Sequence, residues 1–358
     1  MINFLNDYNS PGHPDILRAV TGAATCKYPG YCDDAVSEQA KQKIIALLDG
    51  RGCIRARDRY RAGDAHVHFL AGGTQANLTA MSAFLRPHEA VIAAGSSHIQ
   101  VHETGAIEAA GHRILLTENG AGGAVKCGKL FPDEVRKLCR QHDNEHMVKP
   151  RLVYISQSTE LGGVYTLQEL VDLRRACDEN NLLLYMDGAR LAIALTAPDG
   201  DARLSDVADL CDAFYIGGTK NGLMYGEAMV IINDSLKADF RYIQKQRGGM
   251  PAKGFLLGLQ FNALFEDDLF YKLAAHANKM AERLRIGLGR SGRRFLVSSR
   301  TNQLFPILRI SEIEKLEKRF LFERWEAIDD EYAAIRFVTS WNTSEEEVDA
   351  LLAAIDKE

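Results

Sequence analysis

Three features of the 358-residue sequence predict an α/β fold, with a large domain around a mostly parallel sheet and a smaller C-terminal α+β domain. Short apolar runs alternate with stretches of helical period, the pattern of strands covered by helices on both faces. At roughly 100–200 residues per domain, the length predicts two domains or one large domain with a smaller appendage. After Asn233 the pattern changes to a polar, glycine-bearing loop KQRGGMPAKG (245–254), then helical stretches, then short strand-like runs near Gln303 to Ile310 and Ala334 to Thr339.

Taken in order, strands are expected at Ala65 to Leu70, Ala90 to Ala94, Arg113 to Leu116, Leu152 to Ser156, Leu182 to Met186, Ala213 to Ile216 and Met229 to Ile232. Their Val, Ile, Leu and aromatic content suits strands buried on both faces. Helices are expected at Gln75 to Leu85, Pro132 to Gln141 and Leu167 to Glu179. The last of these is preceded by Thr166 as an N-cap with Glu169 three residues on, the spacing of a capping box.

Composition narrows the function. Hydrophobic residues make up 46% and charged residues 25%, ordinary globular values that exclude disordered, collagen-like and coiled-coil architectures. With 43 Lys plus Arg against 48 Asp plus Glu, the net charge of −5 argues against a dedicated nucleic-acid or acidic-membrane binder and leaves a small-molecule partner as the default. The seven cysteines are scattered and never form C-x-x-C, so neither a disulfide framework nor a zinc ribbon is expected, and the compartment is read as reducing. No run approaches the ~18–20 apolar residues of a membrane span, and MINFLNDYNSPGHP lacks the regions of a signal peptide, so a cytoplasmic protein is expected. The segment 49–64 holds five arginines but also three aspartates, and is read as a solvated surface loop.

Three motifs carry candidate chemistry. GGTQANL (72–78) follows a strand and opens a helix, where glycines and orphan N–H groups suit a phosphate; a plain strand-to-helix turn capped by Thr74 is the alternative. MDGAR (186–190) puts Asp187 at the end of a buried strand, where open α/β sheets bind ligands, or where Asp-Gly simply turns the chain. FYIGGTKNG (214–222) puts Lys220 at another strand end, where a lysine held partly dry can lose its proton and form a Schiff base, or stays solvated. An anion cradle, a strand-end Asp and, 33 residues later, a strand-end Lys occur in the order that pyridoxal phosphate (PLP) requires. A metal reading of His98, His102 and Glu103 is set aside, because the H-E-x-x-H order and a third ligand are absent and His142/His146 repeat the spacing in a polar loop.

With these motifs the sequence resembles the fold-type I PLP enzymes, and within them the threonine aldolase and aromatic amino acid β-eliminating lyase family. The resemblance covers nearly the whole chain: NDY (6–8), GYCDD (30–34), GGTQANL, SHIQVHETGAIE (97–108), ISQSTELGGVYT (155–166), MDGAR, GGTKNG and IRFVTSW (335–341). The chain is similar to the low-specificity L-threonine aldolases of that family, including a branch that shares T-E-x-G and T-K-N-G. The resemblance implies retro-aldol cleavage of L-threonine or L-allo-threonine to glycine and acetaldehyde, with a β-eliminating lyase or phenylserine-type aldolase as the alternative on the same scaffold. A non-catalytic α/β binding protein, with Lys220 solvated, is the alternative from another class.

Carried over residue by residue, Lys220 is the Schiff-base lysine, Asp187 the partner of the pyridine nitrogen, and Gly73, Thr74 and Gln75 the phosphate cradle. His98 matches the histidine that stacks on the ring and Arg190 the arginine near the ring hydroxyl and substrate. Arg336 matches the grip on the α-carboxylate, which Asn6 could assist. Tyr31 and Lys253 match positions that relatives contribute across a subunit boundary, implying a homo-oligomer, a dimer as minimal active unit or a tetramer. The family pattern also implies an N-terminal segment (1–20) packing with the small domain (241–358), beside a large PLP domain (21–240). Glu160 departs from the pattern, standing where better-known members have a second histidine. A carboxylate cannot donate when ionised, so the acceptor of the β-hydroxyl proton falls to His98 or a water it shares with Glu160, unless Glu160 only fixes a loop.

Overall fold

The computed structural model describes residues 1–48, 64–117 and 127–355. Apart from Asp64, the arginine-bearing segment expected as a surface loop lies outside these. The chain opens with a short strand β1 (Ile2–Asn3) and helices α1 (Pro14–Gly22) and α2 (Ala35–Leu48). The main α/β run follows: β2 (His66–Leu70), α3 (Gly73–Phe84), β3 (Glu89–Ala94), α4 (His98–Val101), α5 (Ala106–Ala109), β4 (Ile114–Thr117), α6 (Pro132–Gln141), β5 (Lys149–Ser156) and α7 (Leu167–Glu179). It continues through β6 (Leu183–Asp187), α8 (Leu191–Thr196), α9 (Leu204–Leu210), β7 (Ala213–Gly217) and β8 (Glu227–Ile231). Helices α10 (Phe240–Gln246), α11 (Phe255–Leu264) and α12 (Leu269–Arg290) lead to the C-terminal part. That part comprises β9 (Arg294–Phe295), β10 (Gln303–Leu304), β11 (Pro306–Arg309), α13 (Ile310–Leu316), β12 (Phe320–Leu321), β13 (Glu323–Ala327), β14 (Tyr332–Val338) and α14 (Glu345–Ile355).

Seven strands form one sheet in the order β2-β8-β7-β6-β5-β3-β4. Within it β8 runs antiparallel to both its neighbours, and the remaining pairs are parallel. Alternate residues leave on opposite faces, as the pleat requires. Leu184, Met186, Phe214 and Ile216 join one core, while Tyr154, Leu183, Tyr185 and Tyr215 join the other, together with Ala76, Ala80 and Met81 of α3. Buried on both faces, these strands carry the continuous apolar runs from which they were expected.

Helices α1, α2, α4, α5, α8 and α9 were not expected, and the expected elements differ at their ends. Helix α3 starts at Gly73, because its first intrahelical bond runs from Ala76 N to Gly72 O, so the N-cap is Gly72 and not Thr74. Strand β5 starts at Lys149, where Glu89 of β3 supplies a partner. For α7 the expected capping box is present, with Thr166 accepting from Glu169 N and Glu169 accepting from Thr166 N.

The C-terminal part is an antiparallel sheet centred on β14, flanked by β10, β11 and β13, with β9 beyond β11. Helix α12 joins the two parts, with Phe270, Leu273, Ala274 and Ala277 in a core of the large sheet and Met280, Leu284 and Leu288 in the core of the small one. The N-terminal segment docks on the small sheet: β1 pairs with β12, Phe4 is fully buried, and Phe4 O accepts from Val338 N at 2.9 Å. Among the described residues no helix is long and apolar enough to cross a membrane.

Gly188, directly after Asp187, shows how closely β6 and β7 approach at the sheet edge, since a Cβ there would come within 1.8 Å of Tyr215 O. Backbone cannot yield as a flexible side chain can. Gly188→Ala is therefore expected to destabilise the fold by at least about 1–3 kcal/mol, read by urea denaturation, and a change under about 0.5 kcal/mol would contradict this packing.

Candidate active site

Parallel strands bring their C-terminal ends to one edge of the sheet, where open α/β folds bind ligands. Asp187 ends β6 there, on the face shared with Tyr185 and beside Ser156 of β5. It is 4% exposed, and its two oxygens take four donors. Oδ2 accepts from Tyr154 OH at 2.5 Å and Asn77 Nδ2 at 3.0 Å, while Oδ1 accepts from Tyr215 OH and from Ala189 N at 3.0 Å. Burial pushes the carboxyl pKa up, but the His98 charge and the bonds from Tyr154, Tyr215 and Asn77 outweigh it, so Asp187 is held below the usual carboxylate range. Burial raises the three tyrosines well above theirs, so they remain neutral.

Asn77, on α3, extends this network. Its Nδ2 also donates to Glu103 Oε1 at 2.7 Å, and its Oδ1 accepts from Tyr185 OH at 3.1 Å. Glu103, whose side chain is fully buried, meets His98 Nδ1 at 2.7 Å. Glu160 holds the backbone of the same histidine, its Oε1 accepting from His98 N at 2.9 Å and from Ser156 Oγ at 2.7 Å. Burial raises the Glu160 carboxyl above its ordinary range.

Lys220 follows β7 on a short turn. No hydrogen bond or ion pair to the described residues engages its amine, and burial, with the Arg190 charge, lowers its pKa against the opposing pull of Asp7, Asp187 and Glu227. Arg190 is bound along one edge by Asp7, Nε to Oδ2 at 2.7 Å and Nη2 to Oδ1 at 3.1 Å. Asp7 Oδ2 also accepts from Asn302 Nδ2 at 2.9 Å. Burial raises the Asp7 pKa, but Arg190, Lys220 and Asn302 more than offset that and bring it below the ordinary value.

Arg336 lies on β14 and feels the charge of Arg190. It pairs with Glu323 at 2.5 Å, lies 5.1 Å from the Trp325 ring centroid, and leaves Nε buried without a partner. Burial and the Arg190 charge lower its pKa.

The fold thus brings Lys220, Asp187, Arg190, His98 and Glu160 together, with Arg336 at the small-domain side. Tyr31 and Lys253 stand apart on adjoining surface loops: both are exposed, Tyr31 N donates to Ala252 O at 3.2 Å, and Lys245 lies over the Tyr31 ring. The Asn6 side chain accepts from Tyr8 N. Sequence reasoning missed the roles of Asp7, Asn77, Glu103, Tyr154, Tyr215 and Glu227, although Asp7, Asn77, Glu103 and Tyr215 lie inside motifs it had singled out.

The geometry fits PLP. The N–H groups of Gly73, Thr74 and Gln75 have no helical acceptor at the start of the 12-residue α3, which suits a phosphate. A Cβ on Gly72 would meet nothing within 4 Å, whereas one on Gly73 would stand 3.0 Å from the Tyr215 hydroxyl, so the loop borders both open space and the Asp187 network. An ionised, buried carboxylate suits a protonated ring nitrogen, and an unbonded lysine suits an aldehyde. Among the described residues no group of three or more His, Cys, Asp or Glu side chains could hold a metal ion.

Fold and site together define a fold-type I PLP enzyme. The chain belongs to the β-eliminating lyase family, whose profile matches residues 33–310, and this family uses PLP. A low-specificity L-threonine aldolase of Pseudomonas aeruginosa is 32% identical over 335 residues, 91% of this chain and 94% of that protein. A solved structure of Leishmania major threonine aldolase superposes with a TM-score of 0.93 at 43% identity, over 100% of this chain and 99% of that one. An aspartate aminotransferase of Thermus thermophilus shares the fold alone, with a TM-score of 0.70 at 14% identity, over 100% of this chain and 91% of that one.

Removing the charge of Asp7 would strand Arg190. Asp7→Asn is expected to cost roughly 3–5 kcal/mol at pH 7, the usual penalty for breaking a buried ion pair, as read by chemical denaturation. The Asp7 pKa is lower folded than unfolded, so its contribution is complete above the unfolded value near 3.8 and is lost as pH falls through the folded value. The gap between wild type and variant should therefore close in acid; a gap that stayed constant to pH 2 would contradict the pairing.

Proposed function

We propose that the chain is a low-specificity L-threonine aldolase that cleaves L-threonine or L-allo-threonine to glycine and acetaldehyde. The observation that carries this reading is the presence, on neighbouring strand ends, of an ionised, buried Asp187 and a Lys220 unbonded among the described residues, in a chain that matches threonine aldolases over nearly its whole length. Lys220 would hold the aldehyde carbon of PLP, Asp187 its ring nitrogen, and the N–H groups of Gly73, Thr74 and Gln75 its phosphate. When bound, the cofactor supplies the sink for the electron pair released as the Cα–Cβ bond breaks.

The protein's own groups do the rest. Arg336 offers its guanidinium to the α-carboxylate, a group suited to two parallel hydrogen bonds, and Asn6 assists the same carboxylate. Arg190, held by Asp7, keeps a positive charge next to Lys220 and lowers the amine's affinity for a proton. In its neutral form, with Glu103 on Nδ1, the His98 imidazole is held in the tautomer whose Nε2 lone pair can accept the β-hydroxyl proton. Glu160 serves this base by fixing the His98 backbone.

The active unit is a homodimer, or a tetramer built from it, in which Tyr31 and Lys253 act across a two-fold interface. Their exposure on adjoining loops supports this. The N-terminal segment 1–20 packs with the small domain 241–358 beside the large domain 21–240, a division supported by the docking of β1 on β12, and the free thiols suit a reducing cytoplasm.

Product analysis with purified enzyme and L-threonine tests the activity: equimolar glycine and acetaldehyde are expected, whereas 2-oxobutanoate and ammonia would mark β-elimination instead. Lys220→Ala is expected to abolish turnover and the visible cofactor band, and full activity in that variant would sink the assignment.

Two conservative changes separate the carboxylates near His98. Glu103→Gln should lower kcat for threonine by roughly 10²–10⁴, the scale of general acid–base help, because the tautomer is no longer enforced. Glu160→Gln retains an acceptor for His98 N and should keep kcat within about tenfold of wild type on that same scale. A reversed order in the kcat measurements would make Glu160 the proton acceptor.

A further inference from the structure

The turn that carries Lys220 is fastened to a buried carboxylate that the reaction described above leaves without a role. Glu227 opens β8, its backbone paired with Leu70 on one side and Gly217 on the other. It is 4% exposed. Its Oε2 accepts from Gly218 N at 3.0 Å, and the Thr219 hydroxyl is bonded to the same carboxylate. That hydroxyl accepts from Gly226 N at 2.9 Å, while Gly226 O accepts from both Gly218 N and Thr219 N at 3.1 Å. The two residues immediately before Lys220 are therefore held by the Gly226 peptide and by the Glu227 side chain.

The titratable groups facing Glu227 are Lys220 on this turn, Asp187 and Tyr185 from β6, and Tyr215 from β7. Burial holds the tyrosines neutral. Burial also pushes the Glu227 carboxyl up to about 7, against the bonds from Thr219 and Gly218 and the charge of Lys220. An apolar side chain would occupy this strand position without that desolvation cost, so the carboxylate is compensated by what it does for the turn and the amine.

We propose that Glu227 is a positioning residue for Lys220, its carboxylate fixing the Gly218–Thr219 turn that aims the amine and setting a buried acidic group beside that turn. The proposal rests on the reading of Lys220 as the residue that holds the cofactor. It deepens that reading by naming what sets the lysine's geometry and charge.

The test is a spectrophotometric pH titration of the holoenzyme in wild type, Glu227→Gln and Glu227→Ala, alongside kcat and KM for threonine. Glutamine keeps an acceptor for Gly218 and Thr219 but no charge; alanine keeps neither. In Glu227→Gln the pH midpoint of the visible cofactor band should fall by about one unit, the effect of removing a nearby opposite charge, with KM little changed. Glu227→Ala should show the same fall together with a kcat at least about tenfold lower, a loss of about 1.4 kcal/mol in transition-state stabilisation. A residue that merely packed would leave the midpoint where it is, so an unshifted Glu227→Gln midpoint overturns the proposal even if the alanine variant does not fold. A wild-type enzyme with no visible band at all would overturn the reading of Lys220 itself.

Discussion

Keeping the Asp187 carboxylate ionised inside the protein is the constraint on which the rest of the sheet edge depends. An ionised carboxylate away from water is unfavourable unless its lone pairs are taken. Here Tyr154, Tyr215, Asn77 and the Ala189 amide supply four donors. The two hydroxyls come from neighbouring strands and share one core, which the pleat arranges by sending every second residue to the same side. The Asn77 side-chain donor comes from α3, packed across that side. The helix whose first turn presents free N–H groups is thereby tied to the acid at the end of β6.

The same network reaches a second function. Asn77 bridges Asp187 to Glu103, and Glu103 holds the His98 ring, so one asparagine links the group that matches a ring nitrogen to the group that matches a proton acceptor. Glu160 then locates His98 through its backbone. Position and charge are both controlled by buried acids, each of which costs desolvation and is retained with hydrogen-bond partners. On the basic side only Arg190 has such partners, and its positive charge makes a proton on Lys220 less favourable.

A third link joins the parts of the chain. Asp7 receives Arg190 from beyond β6 and Asn302 from the small sheet, while Phe4, three residues earlier, is buried against that sheet. A shift of the small domain would disturb the Asp7 contacts, and with them the charge beside Lys220. Arg336 sits on β14, the central strand of that domain, so its distance from the large sheet is governed by the same junction.

By itself the sequence determined the strands of the large sheet, three of the helices between them (α3, α6 and α7), the capped start of α7 and the residues at the sheet edge, while the short helices α4, α5, α8 and α9 left no such signal. Strands buried on both faces leave continuous apolar runs, and a strand end facing a ligand is followed by glycine, aspartate or lysine, all visible in a local window. Only the tertiary structure decided which carboxylates meet which partners. Asp7 and Arg190 are 183 residues apart, Asn77 and Asp187 are 110 apart, and His98 and Glu160 are 62 apart at the point of contact. Such pairings follow from strand order and from the side of the sheet on which each residue emerges, which no spacing along the chain encodes. Glu103 and Glu227 illustrate the limit: one stood beside two histidines and suggested a metal, the other lay two residues before the expected strand, and each found its partners only when the sheet was assembled.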